Sequence, residues 1–211
     1  MKQTLFIDVG IKSECRVRPV RWAVFISGRG SNLGALIDMR AEAEGQFEVA
    51  LVVSSSSDAP GLARAHRAGV PTLVLDKRIN WSALSHELRR RSIERIALLG
   101  FMRIAPGDFC SLWNGAIFNL HPSLLPSYPG LQSIERAHLD GAAIGATVHE
   151  VVPAVDEGKI VALRVSFCAG AASSSSTRDV EARVHRDEQQ LVRRAVMALS
   201  HSRRVQAESL R

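Results

Sequence analysis

In FNLHPSLLPSYPG (118–130) an amide, Asn119, and an imidazole, His121, stand two residues apart at the end of an apolar run. Residues at i and i+2 of an extended chain project to one side, so both can face a single reacting atom. The amide offers two N–H donors to an oxyanion, and a protonated imidazole can add a donor or deliver a proton. Pro122, Pro126 and Pro129 fix φ around the pair and stiffen the loop beyond it. A capped strand end with a surface histidine fits the same residues, and the stretch alone does not choose.

Two other fragments carry candidate chemistry. SGRGSNL (27–33) puts glycines on a turn between a strand and a helix, where backbone can approach a ligand and free N–H groups can meet an anion. The third glycine of a dinucleotide fingerprint and the Gly-Lys-Ser/Thr of a Walker loop are both absent, so the phosphate of a smaller ligand fits better. A plain tight turn remains the alternative. VDEGKIV (155–161) brings a carboxylate, Asp156, to a turn leading into a strand. Beside an imidazole it would favour the charged ring and orient it; taken alone, Asp-x-Gly marks only a turn.

The elements that must position these groups follow from hydrophobic periodicity. WAVFISG (22–28) is a continuous apolar run, as expected of a strand buried on both faces. A helix follows, with Ser31 or Asn32 available as its N-cap. Strands are expected at 47–57, 71–76, 95–101 and 116–122, with helices at 58–70 and over SALSHELRRRSIE. This rhythm predicts βαβ units: an α/β fold, Rossmann-like, with a mostly parallel sheet covered by helices on both faces. After Pro129 a brief helix, IERAHLDG, precedes two closely spaced strands, ATVHEVVP and KIVALRVSF, read as an antiparallel extension near the C-terminus. A terminal helix spans 177–200, and the tract Ser173–Ser176 before it is expected to be a mobile loop. The domain reading is an N-terminal extension over 1–21, one catalytic domain over 22–200 and a tail over 201–211.

Composition limits the function classes. Across 211 residues, 46% hydrophobic and 23% charged residues suit one globular domain with a sizeable core. No apolar run reaches the ~18 residues of a membrane span, and the first twenty residues show no signal-peptide pattern. Cys15, Cys110 and Cys168 lack metal-ligand spacing and read as free thiols in a cytoplasmic protein. The net charge of +6 concentrates in Arg89, Arg90, Arg91 and Arg95 and near the C-terminus, without interleaved aromatic residues. Nucleic acid is therefore not an expected partner.

SGRGSNLGALID, DAPGLARA, LLGFMRIA, NLHPSLLPSYPG and VDEGKIV, in this order and spacing, resemble the glycinamide ribonucleotide formyltransferases, the small folate-dependent enzymes of purine synthesis. The resemblance covers about Trp22 to Val165. It implies that Gly30, Ser31 and Asn32 hold the phosphate of the ribonucleotide acceptor. Arg64 and the segment Met102, Arg103, Ile104, Ala105 would line the site for 10-formyltetrahydrofolate, the co-substrate; no metal is implied. Asn119, His121 and Asp156 match the catalytic trio, and His149 would support it from behind. Glu188 matches a glutamate that contacts the acceptor near its amine. The partners implied are small molecules, with no membrane, and the chain is expected to be a monomer or homodimer.

The implied reaction is attack of a primary amine on a formyl carbon, with Asn119 and the imidazolium of His121 stabilising the developing alkoxide. Departures from the family pattern cluster on the acceptor side. Gln132 stands where the family often has histidine, Lys159 replaces a proline, and the serine tract replaces an acidic loop. Glu188 is followed by Gln189, Gln190 and Leu191 instead of the usual His-x-x-Tyr-Pro pattern. An amino-sugar nucleotide as acceptor and an inactive folate-binding homologue are the alternatives. Methionyl-tRNA formyltransferases and formyltetrahydrofolate hydrolases resemble the core but are expected to need a further domain.

Overall fold

Alternate residues of one apolar run face opposite sides of the central sheet. In β1 (Val20–Ile26) Trp22, Val24 and Ile26 point into one core, while Ala23 and Phe25 point into another. A strand buried on both faces needs no polar alternation, which is why this one reads as a solid apolar block. The computed structural model describes residues 18–43 and 45–209. Cys15 and most of the expected N-terminal extension therefore lie outside the described residues.

Six further strands complete the sheet: β2 (Phe47–Ser54), β3 (Thr72–Val74), β4 (Arg95–Leu98), β5 (Ile117–His121), β6 (Ile144–Glu150) and β7 (Ile160–Phe167). Their order is β3-β2-β1-β4-β5-β6-β7. The first five are parallel, whereas β5–β6 and β6–β7 pair antiparallel, which bears out the mixed sheet with an antiparallel extension. Helices α1 (Ser31–Asp38), α2 (Pro60–Arg67) and α6 (Thr177–Ser209) contribute to the first core through Leu36, Leu62 and Val192. Helices α3 (Trp81–Arg90) and α4 (Gly107–Leu112) cover the opposite face with Leu88 and Phe109. Helix α5 (Ser133–Leu139) packs with α6 in a third, smaller cluster around Ile134, Val180 and Val184.

Several boundaries differ from the sequence reading. The sheet begins at Val20, two residues before Trp22, and α6 runs on to Ser209, so residues 201–209 continue the helix. The first helix is capped by neither Ser31 nor Asn32: Gly30, in the left-handed region at φ 64°, is its N-cap. The serine tract forms a hydrogen-bonded turn. Ser176 ends it by accepting the Asp179 N–H at 3.2 Å and donating to the Asp179 carboxylate at 2.6 Å, a reciprocal helix-start arrangement. Helix α4 was not expected; six residues are too few to display a period.

One contact fastens α6 to the sheet. The Trp22 indole N–H donates to Ser200 Oγ at 3.0 Å, and that hydroxyl donates to the Val196 carbonyl at 2.7 Å, all buried. Ser200→Ala leaves the indole N–H without an acceptor and should cost about 1–3 kcal/mol in a urea unfolding curve. A loss below about 0.5 kcal/mol would mean that this contact contributes nothing.

Candidate active site

The parallel strands β1, β4 and β5 end on one side of the sheet, where open α/β sheets bind ligands. The turn after β1 and the segment after β4 are tied together there. Ser27 N–H donates to the Gly100 carbonyl at 3.1 Å, and Met102 N–H donates to Ser27 Oγ at 2.8 Å.

At the end of β5 the switch to antiparallel pairing sets Asn119 directly opposite His149 and His121 opposite Thr147. Asn119 Nδ2 lies 3.1 Å from His149 Nε2, and His149 Nδ1 lies 2.9 Å from the Glu150 carbonyl. A carbonyl only accepts, so Nδ1 carries the proton and Nε2 accepts one Asn119 N–H. Burial pushes the His149 pKa below its ordinary value, against smaller opposing contributions from the Glu150 carbonyl and Asp156, and so favours this neutral form. The Asn119 amide is thus oriented with its second N–H uncommitted.

Asp156 arrives from the β6–β7 connection in the left-handed region at φ 59°, a strained setting for a non-glycine residue. Its carboxylate is turned inward. Oδ2 lies 3.4 Å from His121 Nδ1 and accepts the Gly130 N–H at 2.9 Å; Oδ1 lies 3.5 Å from His149 Nε2. With His149 neutral, two acceptors face each other across the last of these, which leaves His121 as the imidazole paired with Asp156. Gly158 holds the turn closed: a Cβ there would sit 1.7 Å from the Glu150 carbonyl oxygen.

The His121 ring has both nitrogens engaged, since Nε2 donates to the Tyr128 carbonyl at 3.1 Å. This differs from the expectation of a free imidazolium donor. The proline loop does more than stiffen the chain, because it returns a backbone acceptor onto the ring. That loop is itself anchored: Thr147 Oγ1 donates to the Ser123 carbonyl at 2.7 Å and accepts the Leu125 N–H, and Ser123 Oγ donates to the Ser127 carbonyl.

The neutral, buried His149 has a consequence for stability. Its folded pKa lies below the unfolded value of 6.5, so the unfolded chain binds more protons as pH falls below 6.5. This group's contribution is fully present above pH 6.5 and is lost as pH drops through the lowered folded pKa. His149→Gln should therefore show a smaller loss of unfolding free energy between pH 7.5 and 5.5 than the parent chain; parallel losses would count against a neutral His149.

The glycine turn forms the second group. Gly30 and Gly61 approach so closely that a Cβ on Gly30 would lie 2.8 Å from Gly61 Cα, and one on Gly61 would lie 2.5 Å from Ile26 Cδ1. The open end of α1 is thereby packed against the start of α2. Asn32 is 9% exposed; its Nδ2 donates to Glu188 Oε2 at 3.1 Å, while its Oδ1 is buried without a partner. Gly30, Ser31, Asn32 and Glu188 are thus brought together, Glu188 lying beneath the turn. The same Glu188 oxygen accepts from His185 Nδ1 at 3.1 Å. Sequence reading did not single out His185, although its i,i+3 spacing to Glu188 on a helix was a readable signal.

Met102, Arg103, Ile104 and Ala105 follow β4 together, with Met102 and Ile104 65% and 77% exposed. Cys110, Ser111, Asn114 and Val151–Pro153 enclose a cavity of about 300 Å³, and the Cys110 thiol points to the Ala105 carbonyl at 3.7 Å. Arg64 lies on α2, its Nε donating to the Arg29 carbonyl at 3.1 Å on the glycine turn that Met102 also meets through Ser27. Among the described residues no cluster of three or more His, Cys, Asp or Glu could hold a metal ion, and no helix is long and apolar enough to cross a membrane.

Residues 20–196 match the family model described as formyl transferase. The chain is 42% identical over 151 residues to the human trifunctional purine biosynthetic protein adenosine-3, covering 68% of this chain but only 15% of that protein. It is 37% identical over 170 residues to the phosphoribosylglycinamide formyltransferase of Escherichia coli K12, covering 77% of this chain and 80% of the relative. The crystal structure of the phosphoribosylglycinamide formyltransferase of Anaplasma phagocytophilum superposes with a TM-score of 0.80 at 31% identity, over 88% of this chain and 89% of that one.

Proposed function

Because the chain belongs to the formyl transferase family, we propose that it moves a formyl group from 10-formyltetrahydrofolate to the primary amine of glycinamide ribonucleotide, a step of purine biosynthesis. The observation that carries this reading is the convergence of Asn119, His121 and Asp156, with His121 Nδ1 and the Asp156 carboxylate 3.4 Å apart. The reading includes a cytoplasmic reaction between two small molecules, in a monomer or homodimer.

The trio fits the chemistry of acyl transfer to an amine. The free N–H of Asn119 donates to the formyl oxygen as negative charge develops on it, an interaction worth roughly 3–4 kcal/mol in comparable sites. The new C–N bond forms as the bond from the formyl carbon to folate N10 breaks. The proton given up by the amine must reach that leaving nitrogen, and the His121–Asp156 pair is the route for it. His121 joins once Nε2 exchanges the Tyr128 carbonyl for the reacting oxygen. Asp156 remains behind the ring and supplies the counter-charge of the imidazolium.

Each substrate has a matching surface. Gly30, Ser31 and Asn32 take the acceptor phosphate on the exposed N–H groups of α1, and the orphaned Asn32 Oδ1 supplies a buried acceptor for a ribose hydroxyl. Glu188 acts beneath them, through Asn32. On the folate side the cavity beside Ala105 is large enough for a bicyclic ring, with the apolar side chains of Met102 and Ile104 available outside it and Arg103 between them. Arg64 belongs to the same folate side, with its Nε braced against the Arg29 carbonyl.

The test is an initial-rate assay with 10-formyltetrahydrofolate and, in parallel, glycinamide ribonucleotide or an amino-sugar nucleotide. Transfer to the ribonucleotide is expected. Transfer to the sugar nucleotide alone would overturn the acceptor assignment. Calorimetric binding of folate with transfer to neither amine would overturn the enzyme reading.

A further inference from the structure

Resting on the reading above, we propose that Arg136 is a positioning residue of the reaction: through one peptide unit of the proline loop, its charge aims and steadies the Asp156 carboxylate. Arg136 Nη2 donates to the Pro129 carbonyl, and the next N–H, on Gly130, donates to Asp156 Oδ2 at 2.9 Å. That carbonyl and that N–H belong to the same peptide, so a guanidinium holds one end of the amide and a carboxylate the other. A cation on the oxygen polarises the amide and makes its N–H a stronger donor, as in any chain of linked hydrogen bonds. The preceding peptide supplies the Tyr128 carbonyl, which accepts from His121 Nε2 at 3.1 Å. Both members of the His121–Asp156 pair thus rest on adjacent peptides of a loop that Arg136 grips. The stretch NLHPSLLPSYPG ends before Arg136, so the motif that marks the site does not contain this residue.

The hold on these peptides comes from α5. Tyr128 at φ 53° and Gln132 at φ 54° both lie in the left-handed region, so the loop keeps this path only where its neighbours enforce it. The Arg136 guanidinium carbon lies 5.8 Å from the centroid of the Tyr128 ring, within cation–π range. The Tyr128 hydroxyl donates to Asp140 Oδ2 at 2.9 Å. Asp140, the C-cap of α5, is the carboxylate that an arginine four residues earlier on a helix would ordinarily attract. Here it accepts the phenol, while the guanidinium reaches the loop. Arg136 Nε is buried without a partner, so part of the charged group is withdrawn from water and its field is screened less.

The experiment compares the parent chain with Arg136→Met, which removes both the donor and the charge, and with Arg136→Lys, which keeps both. The assay yields kcat and the KM of each substrate, and the Gly130 amide proton is followed by NMR in the labelled protein without substrates. Arg136→Met should lower kcat by about tenfold to a hundredfold, with either KM within about threefold, as expected when reacting groups are slightly misplaced. The Gly130 proton should move upfield as its bond to Asp156 weakens, and Arg136→Lys should restore both readouts. Added to Asp156→Asn, Arg136→Met should cost no more than about threefold further, because the arginine acts through that carboxylate. Full additivity of the two losses, a loss carried by KM, or a Gly130 proton indifferent to the substitution would overturn the proposal. Where Arg136→Met fails to fold, Arg136→Gln, polar but uncharged, takes its place with the same expected losses. Should the parent chain formylate no amine, the functional reading fails, while the Gly130 proton still decides whether Arg136 acts on that peptide.

Discussion

Asp156→Asn should lower kcat by about a thousandfold and leave the KM of either substrate within about threefold, in steady-state formyl-transfer assays that vary each substrate in turn. The substitution keeps the shape, and the carboxamide oxygen can still accept the Gly130 N–H that holds Oδ2 at 2.9 Å. What disappears is the negative charge 3.4 Å from His121 Nδ1. The ring already donates Nε2–H to the Tyr128 carbonyl, so Nδ1 is the nitrogen that faces Asp156. Without the carboxylate the imidazolium has no counter-charge, and the relay from amine to leaving nitrogen loses its resting place. Because Asp156 contacts His121, His149 and Gly130 rather than the glycine turn or the segment at Met102, binding should be spared. A variant that turned over within tenfold of the parent would remove Asp156 from the chemistry.

Asn119→Ala produces a loss of similar kind for a different reason. It deletes the uncommitted N–H that the proposed mechanism assigns to the formyl oxygen, an effect of about 10²–10³ in kcat for a single oxyanion donor. It also strands His149 Nε2, which now accepts that amide at 3.1 Å within the protein. An orphaned buried acceptor costs about 1–3 kcal/mol, so the variant should be slower and also less stable in urea. The two effects separate cleanly: Asn119→Asp keeps the size but reverses the polarity of the group, and should lose turnover at least as severely. An Asn119→Ala enzyme with normal kcat and reduced stability would reassign the amide to a purely structural role.

Much of this arrangement was legible in the chain because each piece had local cause. The apolar block at 22–28 could only be a strand buried twice over, and the i, i+2 spacing of Asn119 and His121 put them on one face before any partner was known. The resemblance to formyltransferases supplied Asp156, which spacing alone reduces to a turn. What remained hidden depended on distant partners. The cap of α1 was misread because Asn32 spends its side chain on Glu188, 156 residues away, leaving Gly30 to begin the helix. The return of the Tyr128 carbonyl onto His121 follows from the path of the proline loop, which no side-chain pattern encodes. Ser173–Ser176 looked like low-complexity filler, yet the Ser-x-x-Asp spacing from Ser176 to Asp179 was a helix-start signal overlooked beneath it.

The two ends of the described chain meet where Trp22 rests on Ser200, where Asn32 rests on Glu188 and where Arg193 reaches Glu42. A ribosome delivers the amide, imidazole and carboxylate of the reaction centre well before it delivers the last helix. The segments that carry Asn119, His121 and Asp156 are thus made while Asn32 and Trp22 still lack their partners. Those two contacts close only once Glu188 and Ser200 have been added to the chain.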